Sequence, residues 1–214
     1  IPLAGGHSID ALEPIFGLAV TGKVPVSQVK KNNTAQVGDL LYLTKPLGIG
    51  IITTAQKKNL VTEADLNEAK KWMLTLNSIG YELGKLDLVH ALTDVTGFGL
   101  AGHLLEVCEG SGVGAELDFD EIPVLDCVPK YLEMGSVPGG TNRNWKTYGH
   151  KFHLKHDDQF KILGDPQTSG GLLVCVDPRH KEEFEEFMKE RGLDLSPIGQ
   201  ITGMNAENQS VSVR

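Results

Sequence analysis

The chain has 214 residues, of which 40% are hydrophobic and 22% are charged, a composition typical of a globular protein with an apolar core. Acidic residues outnumber basic ones by 28 to 20, and this balance argues against a nucleic-acid-binding protein, which needs basic surface to neutralise phosphates. No apolar run reaches the ~20 residues that a membrane span needs, so we expect no membrane partner.

The first 35 residues contain a Gly-rich loop and one predicted strand. IPLAGGHSID reads as a loop, and IFGLAVTGKV, from Ile15 to Val24, is rich in β-formers and predicts a strand. The polar stretch that follows is the best candidate for a domain boundary. Beyond it, DLLYLTKPLG predicts a short strand that ends at Lys45-Pro46, and GIGIITTAQKKN is a weaker helix signal because of its Gly and β-branched residues.

A helix is predicted after Thr62. Thr62 and Asp65 have the spacing of a helix amino-terminal cap. Apolar residues then recur at three- and four-residue steps and predict one continuous helix face: Ala69, Trp72, Met73, Leu76, Ile79 and Leu83. Further along, LAGHLLEVCEG predicts an amphipathic helix that stops at Gly110.

The second half mixes strands and helices. AELDFDEIPVL and the apolar LLVCV predict strands, whereas residues 129–158 show no clean period and predict a long irregular region. Asp177-Pro178 is typical of a helix start, with Phe184 and Met188 facing inward, and PIGQITG and SVSV close the chain as strands. The predicted class is therefore α/β (α+β).

Three widely spaced cysteines, Cys108, Cys127 and Cys175, form no CxxC pair. A structural zinc site and a disulfide framework are both unexpected, which favours a reducing compartment such as the cytoplasm. Cys108 and Cys175 lie in apolar stretches and are expected to be buried, inert thiols.

TDVTGFGLAGH places Asp94 just before a Gly-bearing turn that enters a helix. Free N–H groups at a helix start suit phosphate oxygens, and a lone carboxylate there suits a magnesium ion that also contacts phosphates. Alternatively, Asp94 or Thr96 simply caps the helix.

Three other segments leave two interpretations open. GDPQTSGG can form an anion-binding turn or a tight loop before a buried strand. PGGTNRN carries Arg143, which can hold a phosphate or remain a solvated surface residue. AGGHSID can bring its backbone close to a ligand or serve as a connection. The histidines of HKFHLKH lack the acidic or cysteine partners that would complete a convincing metal site.

Taken in this order, GGHSID, EPIFGLAVTG, TDVTGFGLAGH, PGGTNRN and DPQTSGGLL resemble the selenophosphate synthetase (selenide, water dikinase) family. DPQTSGGLL alone is shared with the wider superfamily of aminoimidazole ribonucleotide synthetase-like proteins, and GGHSID with PGGTNRN narrows the resemblance to the selenium enzymes. The resemblance implies a carboxy-terminal domain with a mixed sheet and helices packed on it (residues 36–214), preceded by part of an amino-terminal ATP-binding domain (residues 1–35).

The resemblance also implies an activity and a site. The family uses ATP, selenide and water to make selenophosphate, AMP and phosphate, and it works as a homodimer with Mg2+. Asp94 matches the family's metal-binding aspartate, and Gly5, Gly6 and His7 match a segment that contacts ATP across the dimer.

The departure from the family pattern concerns its nucleophile. A glycine-rich segment with a Cys or selenocysteine nucleophile and a lysine is expected before these motifs, and none of it precedes Ile1. We therefore expect no catalytic residue in this chain and no activity from it alone. A non-catalytic regulatory paralogue, or another superfamily member such as an aminoimidazole ribonucleotide synthetase-like enzyme, is the alternative.

Overall fold

A seven-stranded mixed sheet forms the centre of the molecule, in a computed structural model that describes residues 5, 6, 10, 12, 13, 15–204 and 210–214. The predicted α/β (α+β) class is confirmed. The strands are β1 (Leu40–Leu43), β2 (Val89–Asp94), β3 (Gly114–Leu117), β4 (Phe152–Leu154), β5 (Leu172–Val176), β6 (Gly199–Thr202) and β7 (Val211–Val213). The α-helices are α1 (Ile49–Lys57), α2 (Glu63–Leu74), α3 (Ile79–Leu83), α4 (Gly99–Ser111), α5 (Val128–Glu133), α6 (Gly139–Tyr148), α7 (Phe160–Leu163) and α8 (Lys181–Lys189).

The strands lie in the order β2-β5-β1-β6-β3-β7-β4. Pairing is antiparallel from β2 through to β3, and β7 then runs parallel to both β3 and β4. The order places β2 at one edge of the sheet, so the residue that ends β2 lies at the rim of the fold.

Both faces of the sheet are covered, as the alternation along β1 shows. Leu41 and Leu43 face a cluster that includes much of α4, whereas Tyr42 faces a cluster built with Phe184 and Met188 of α8. All five side chains are buried.

The expected buried thiols are confirmed. Cys108 lies on α4 and Cys175 on β5, and both are buried. Burial raises the pKa of Cys108 to about 12 and also raises that of Cys175. Since the thiolate is the reactive form, both residues act as small apolar side chains. In the part of the chain that the structure describes, no helix is both long and apolar enough to cross a bilayer.

The strand predicted from Ile15 to Val24 is wrong. These residues have no regular secondary structure, and their large apolar side chains, such as Phe16 and Leu18, are exposed. A strand needs a neighbour for its backbone N–H and C=O groups. No described residue pairs with this segment, so its high β propensity does not produce a strand.

The single helix predicted after Thr62 is two helices. The Thr62 cap is confirmed, because its side chain accepts a hydrogen bond from the Asp65 backbone N–H. The helix then ends at Leu74, and α3 begins at Ile79. At the end of α2, where backbone carbonyls lack helical partners, the buried ammonium of Lys45 donates to the carbonyls of Trp72 and Thr75.

The irregular region predicted for residues 129–158 is also wrong, since it contains most of α5, all of α6 and β4. The sequence of α6, GGTNRNWKTY, is poor in helix formers. Its Trp145 and Tyr148 pack with Phe152 against the main core, so tertiary packing stabilises a helix that local propensity does not predict.

Candidate functional site

Asp94 is the last residue of β2, and its side chain is exposed. Its backbone pairs with Leu172 at the start of β5. Within the described ranges its carboxylate forms no ion pair or hydrogen bond; the one nearby bond runs from the Thr93 hydroxyl to the Asp94 carbonyl. The carboxylate is therefore available to a cation from solvent.

The turn after Asp94 enters α4 through Gly99. This residue has φ +70°, and a Cβ there would lie 2.7 Å from the Leu163 carbonyl oxygen. Only glycine satisfies both the conformation and the close approach. Phe98 precedes the helix, and no side chain caps it. The interpretation that Asp94 or Thr96 merely caps α4 is therefore wrong.

Helix α6 holds the turn in place. The Asn144 side-chain amide donates to the carbonyls of Gly97 at 2.9 Å and Gly164 at 3.1 Å. The Tyr148 hydroxyl donates to the Phe98 carbonyl. The PGGTNRN segment thus binds the TDVTGFG turn directly, a contact that neither segment indicates alone.

The DPQTSGG segment packs on the other side of the same turn. The Gln167 N–H donates to the Thr96 carbonyl at 3.0 Å, and the Val95 N–H donates to the Gly171 carbonyl at 2.8 Å. A Cβ at Gly170 would lie 2.0 Å from the Val95 carbonyl oxygen, so glycine is required there. Three motifs that are far apart in sequence therefore meet around the residues that follow Asp94.

Two side chains of the DPQTSGG segment cap α1, which supports the tight-loop interpretation. The Asp165 carboxylate accepts from the Gly50 N–H at 3.1 Å, and the Gln167 side-chain oxygen accepts from the Ile49 N–H at 3.3 Å. Both side chains are buried. Burial raises the pKa of Asp165 to about 7. Thr168 and Ser169, in contrast, are exposed.

Lys45 joins this segment to α2. Its ammonium donates to the carbonyls of Thr75 at 2.6 Å, Ser169 at 2.8 Å and Trp72 at 3.4 Å. Burial lowers the pKa of Lys45. All three N–H donors of the Lys45 ammonium have main-chain acceptors. We therefore infer that Lys45 stabilises the loop and does not bind a ligand.

A basic segment that the sequence did not single out lies beside Asp94. Lys30, Lys31, Asn32 and Asn33 line an open groove of about 600 Å³ with Asp94. The Lys31 carbonyl accepts from the N–H of Leu92 on β2, which fixes the segment against the edge strand. The run KKNN resembles an ordinary polar connection, and only the fold brings it to Asp94.

Arg143 is exposed, and it forms no ion pair or side-chain hydrogen bond with the rest of the described chain. Its guanidinium nitrogen would lie 3.4 Å from a Cβ at Gly139, so it folds back over the start of α6. This environment agrees with both interpretations of the residue, a phosphate ligand and a solvated arginine.

The predicted ATP contacts are Gly5, Gly6 and His7. Gly5 and Gly6 are exposed, and a Cβ at either would meet nothing within 4 Å. His7 lies outside the described residues. The role expected for the three therefore stays a prediction.

Within the described ranges, no three His, Cys, Asp or Glu side chains lie together as a metal ligand set. This includes His150, His153 and His156. A single carboxylate such as that of Asp94 is compatible with Mg2+, which keeps several waters and takes one or two carboxylates plus phosphate oxygens.

His103 on α4 is the buried histidine closest to the turn. Its Nε2 lies 3.2 Å from the Thr96 hydroxyl oxygen, and its Nδ1 lies 3.8 Å from a carboxylate oxygen of Glu106. Burial lowers the pKa of His103, an effect that the nearby Asp94 and Glu106 carboxylates oppose. The imidazole therefore favours its neutral form.

A comparison with protein-family models identifies a family for this chain. The family model of AIR synthase related proteins, carboxy-terminal domain, matches residues 36–209. Among solved structures, the fold is similar to thiamine-monophosphate kinase from Stenotrophomonas maltophilia K279a (TM-score 0.64, 20% identity, 89% of this chain and 54% of that one). It is also similar to the hydrogenase maturation protein HypE in complex with ATP (TM-score 0.62, 19% identity, 90% and 52%). At these identities the likeness shows the fold alone.

Closer relatives share the sequence. A selenide, water dikinase of Aeromonas hydrophila is 58% identical over 213 residues, covering 100% of this chain and 61% of that protein. The selenide, water dikinases of Colwellia psychrerythraea and Pseudomonas putida are 54% and 57% identical, covering 99% and 100% of this chain and 61% of each relative. The chain thus spans 61% of the length of these curated relatives. The resemblance to selenophosphate synthetases is confirmed, and the chain belongs to the family of AIR synthase related proteins through their carboxy-terminal domain.

Proposed function

We propose that this chain forms part of a selenide, water dikinase, an ATP-dependent phosphotransferase that makes selenophosphate, AMP and phosphate from selenide, ATP and water. The observation that carries the proposal is the convergence of TDVTGFG, PGGTNRN and DPQTSGG around the turn after Asp94. The similarity to selenide, water dikinases at 58% identity along the chain supports the same substrates.

Asp94 holds Mg2+ in this proposal. Its free carboxylate lies at the rim of the sheet, beside a groove lined by Lys31 and Asn33. The bound ion would neutralise charge on the ATP phosphates. Lysine ammonium and asparagine amide groups donate to phosphate oxygens, so the same groove suits the polyphosphate chain. Arg143 supplies a further exposed cation without a protein partner among the described residues.

Gly5, Gly6 and His7 contact ATP across a homodimer in this proposal, and residues 1–35 belong with an amino-terminal ATP-binding domain. The family match that begins at residue 36 supports this division. The open surroundings of Gly5 and Gly6 leave their backbone accessible to a ligand.

The 214 residues by themselves are expected to be inactive. A clamp on polyphosphate gathers several ligands around the charge, and the described residues offer Asp94 as a single carboxylate at this turn. The described cysteines add no nucleophile, because burial raises the pKa of Cys108, Cys127 and Cys175.

A direct assay tests the proposal. The complete protein and the 214-residue chain are each incubated with ATP, Mg2+ and selenide, and phosphorus NMR follows selenophosphate, AMP and phosphate. We expect selenide-dependent products from the complete protein and none from the chain alone. Phosphoryl transfer by the complete protein that does not require selenide would contradict the proposed substrate. ATP binding without turnover would favour a regulatory paralogue.

A further inference from the structure

A buried imidazole, that of His103, contacts the Thr96 hydroxyl in the turn. The Thr96 backbone is already fixed, because its carbonyl accepts from the N–H groups of both Gly99 and Gln167. The orientation of its hydroxyl remains free unless a partner sets it. His103 Nε2, at 3.2 Å from Thr96 Oγ1, is that partner.

The other ring nitrogen decides which atom donates. His103 Nδ1 is buried and has no hydrogen-bond partner in the described part of the chain. The Glu106 carboxylate lies 3.8 Å from this nitrogen. A negative charge on this side favours the proton on Nδ1, and one water or a small rotation of the exposed Glu106 side chain would complete the contact. The opposite tautomer would direct a nitrogen lone pair at the carboxylate.

We propose that His103 is a positioning residue. As the Nδ1–H tautomer it accepts a hydrogen bond from the Thr96 hydroxyl at Nε2, which leaves the Thr96 oxygen lone pairs for the cation that Asp94 binds or for one of that ion's waters. The cation in this inference rests on the proposed function, whereas the direction of the Thr96–His103 hydrogen bond does not depend on that function. A hydroxyl that donates inward can only accept on its other side, and Mg2+ requires oxygen lone pairs.

The positions of the groups support this role. Thr96 follows Asp94 by two residues at the exposed rim, and its side chain is half-buried, so its oxygen can face solvent. Asp94 is close enough to His103 for its charge to act on the ring. His103 itself is too buried to meet a ligand directly. It therefore acts through Thr96.

Long-range hydrogen–nitrogen NMR of the chain with 15N-labelled histidine tests the tautomer. The His103 signals are assigned as those lost in His103→Gln. We expect a protonated Nδ1 and an unprotonated Nε2 at pH 7.5. A protonated Nε2, or an equal mixture of the tautomers, would overturn the inference.

Matched threonine variants test the partner. Thr96→Val is expected to shift the His103 Nε2 resonance because the donor is lost, whereas Thr96→Ser keeps the hydroxyl and the resonance. Thr147→Val on α6, an exposed threonine that bonds only to the Arg143 carbonyl, is the control and should cause no shift. An unchanged Nε2 resonance in Thr96→Val would also overturn the inference.

In the complete protein, Thr96→Val is expected to raise the Mg2+ concentration for half-maximal rate about tenfold, the loss of about 1.4 kcal/mol, and Thr96→Ser to restore it. The two proposals fail separately. If NMR shows the predicted tautomer but the complete protein has no selenide-dependent turnover, the positioning role of His103 stands and the proposed reaction is wrong. If Thr96→Val and the parent protein turn over with the same dependence on Mg2+ concentration, the proposed role of Thr96 is wrong.

Discussion

Asp165 shows how a single residue makes the stability of the fold depend on pH. Its carboxylate is fully buried, and one oxygen accepts from Gly50 N–H and from the Gln167 amide, while the other has no partner among the described residues. Burial outweighs these hydrogen bonds and raises the pKa of Asp165 to about 7. The folded chain therefore keeps a proton that the unfolded chain loses near pH 4.

Asp165→Asn should flatten the dependence of stability on pH. Because the folded pKa is raised, the contribution of Asp165 is fully present below the unfolded pKa and is lost as pH rises through about 7. The shift corresponds to an upper limit of about 4 kcal/mol between pH 4 and pH 8. Asparagine carries no charge at any pH, so the free energy of unfolding in urea should fall less from pH 5 to pH 8 in the variant.

Asp65→Asn is the control for this experiment. Hydrogen bonds from the Tyr131 and Thr62 hydroxyls lower the pKa of Asp65, so the contribution of Asp65 is lost only as pH falls below the ordinary carboxyl range. The variant should keep the parental slope between pH 5 and pH 8. Parallel slopes for Asp165→Asn and the parent chain would contradict the account of Asp165.

The sequence indicated Asp94 but not the residues around it. A carboxylate before a Gly-bearing turn is a local pattern and could be read directly. The groove residues Lys31 and Asn33 and the anchor Asn144 lie about 50 or more positions from the turn. Polar side chains in connections carry no such signal until the fold brings them together. The Thr96–His103 contact spans only seven positions, but it depends on the conformation of the Gly-bearing turn between the two residues.

At the scale of elements, strong local patterns were predicted correctly. The Thr62 cap, the buried strand β5 and the Asp177-Pro178 start were all confirmed, because a cap or an apolar run carries its own physical signal. Asp177 caps a short 3-10 turn that leads into α8. Elements that depend on distant partners were missed, as α6 shows: its sequence is a poor helix former, and packing of Trp145 stabilises it.

Two glycines at the ends of α4 separate the effect of backbone conformation at Gly99 from the effect of its close approach to a neighbour. Gly99 and Gly112 have nearly the same backbone conformation, φ +70° and φ +68°, at the two ends of α4. A Cβ at Gly99 would lie 2.7 Å from the Leu163 carbonyl oxygen, whereas one at Gly112 would meet nothing within 4 Å.

Gly112→Ala should therefore cost about 1 kcal/mol of unfolding free energy, the conformational penalty alone. Gly99→Ala should cost about 3 kcal/mol, because the steric clash adds to the same penalty. Urea unfolding of both variants measures the difference. Equal destabilisation would contradict the close approach of the turn to the end of α7.

The whole molecule exposes an apolar segment at its amino-terminal side. Ile15, Phe16, Leu18 and Val20 are all more than two-thirds exposed and have no strand partner among the described residues. Contiguous exposed apolar residues favour association with another surface. The fold therefore predicts self-association of the 214-residue chain.

The double variant Phe16→Ser with Leu18→Ser should reduce this association. We expect sedimentation velocity to show larger species as the concentration of the parent chain rises and a smaller effect in the variant. Leu74→Ser with Leu76→Ser, which changes two exposed leucines elsewhere on the molecule, is the matched control. A parent chain that stays monomeric at high concentration would contradict the prediction.

In the proposed function, Asp94 is held at the rim by three converging motifs and serves a magnesium-dependent transfer of phosphate to selenide. The most direct measurement is selenophosphate formation by the complete protein carrying Asp94→Asn, with Asp87→Asn, an exposed aspartate before β2, as the control. We predict a loss of at least about 100-fold in Asp94→Asn, since a charge-stabilising ligand contributes about 3 kcal/mol or more to such a transition state, and near-parental rates in Asp87→Asn. Selenophosphate formation at the parental rate by Asp94→Asn would contradict the account.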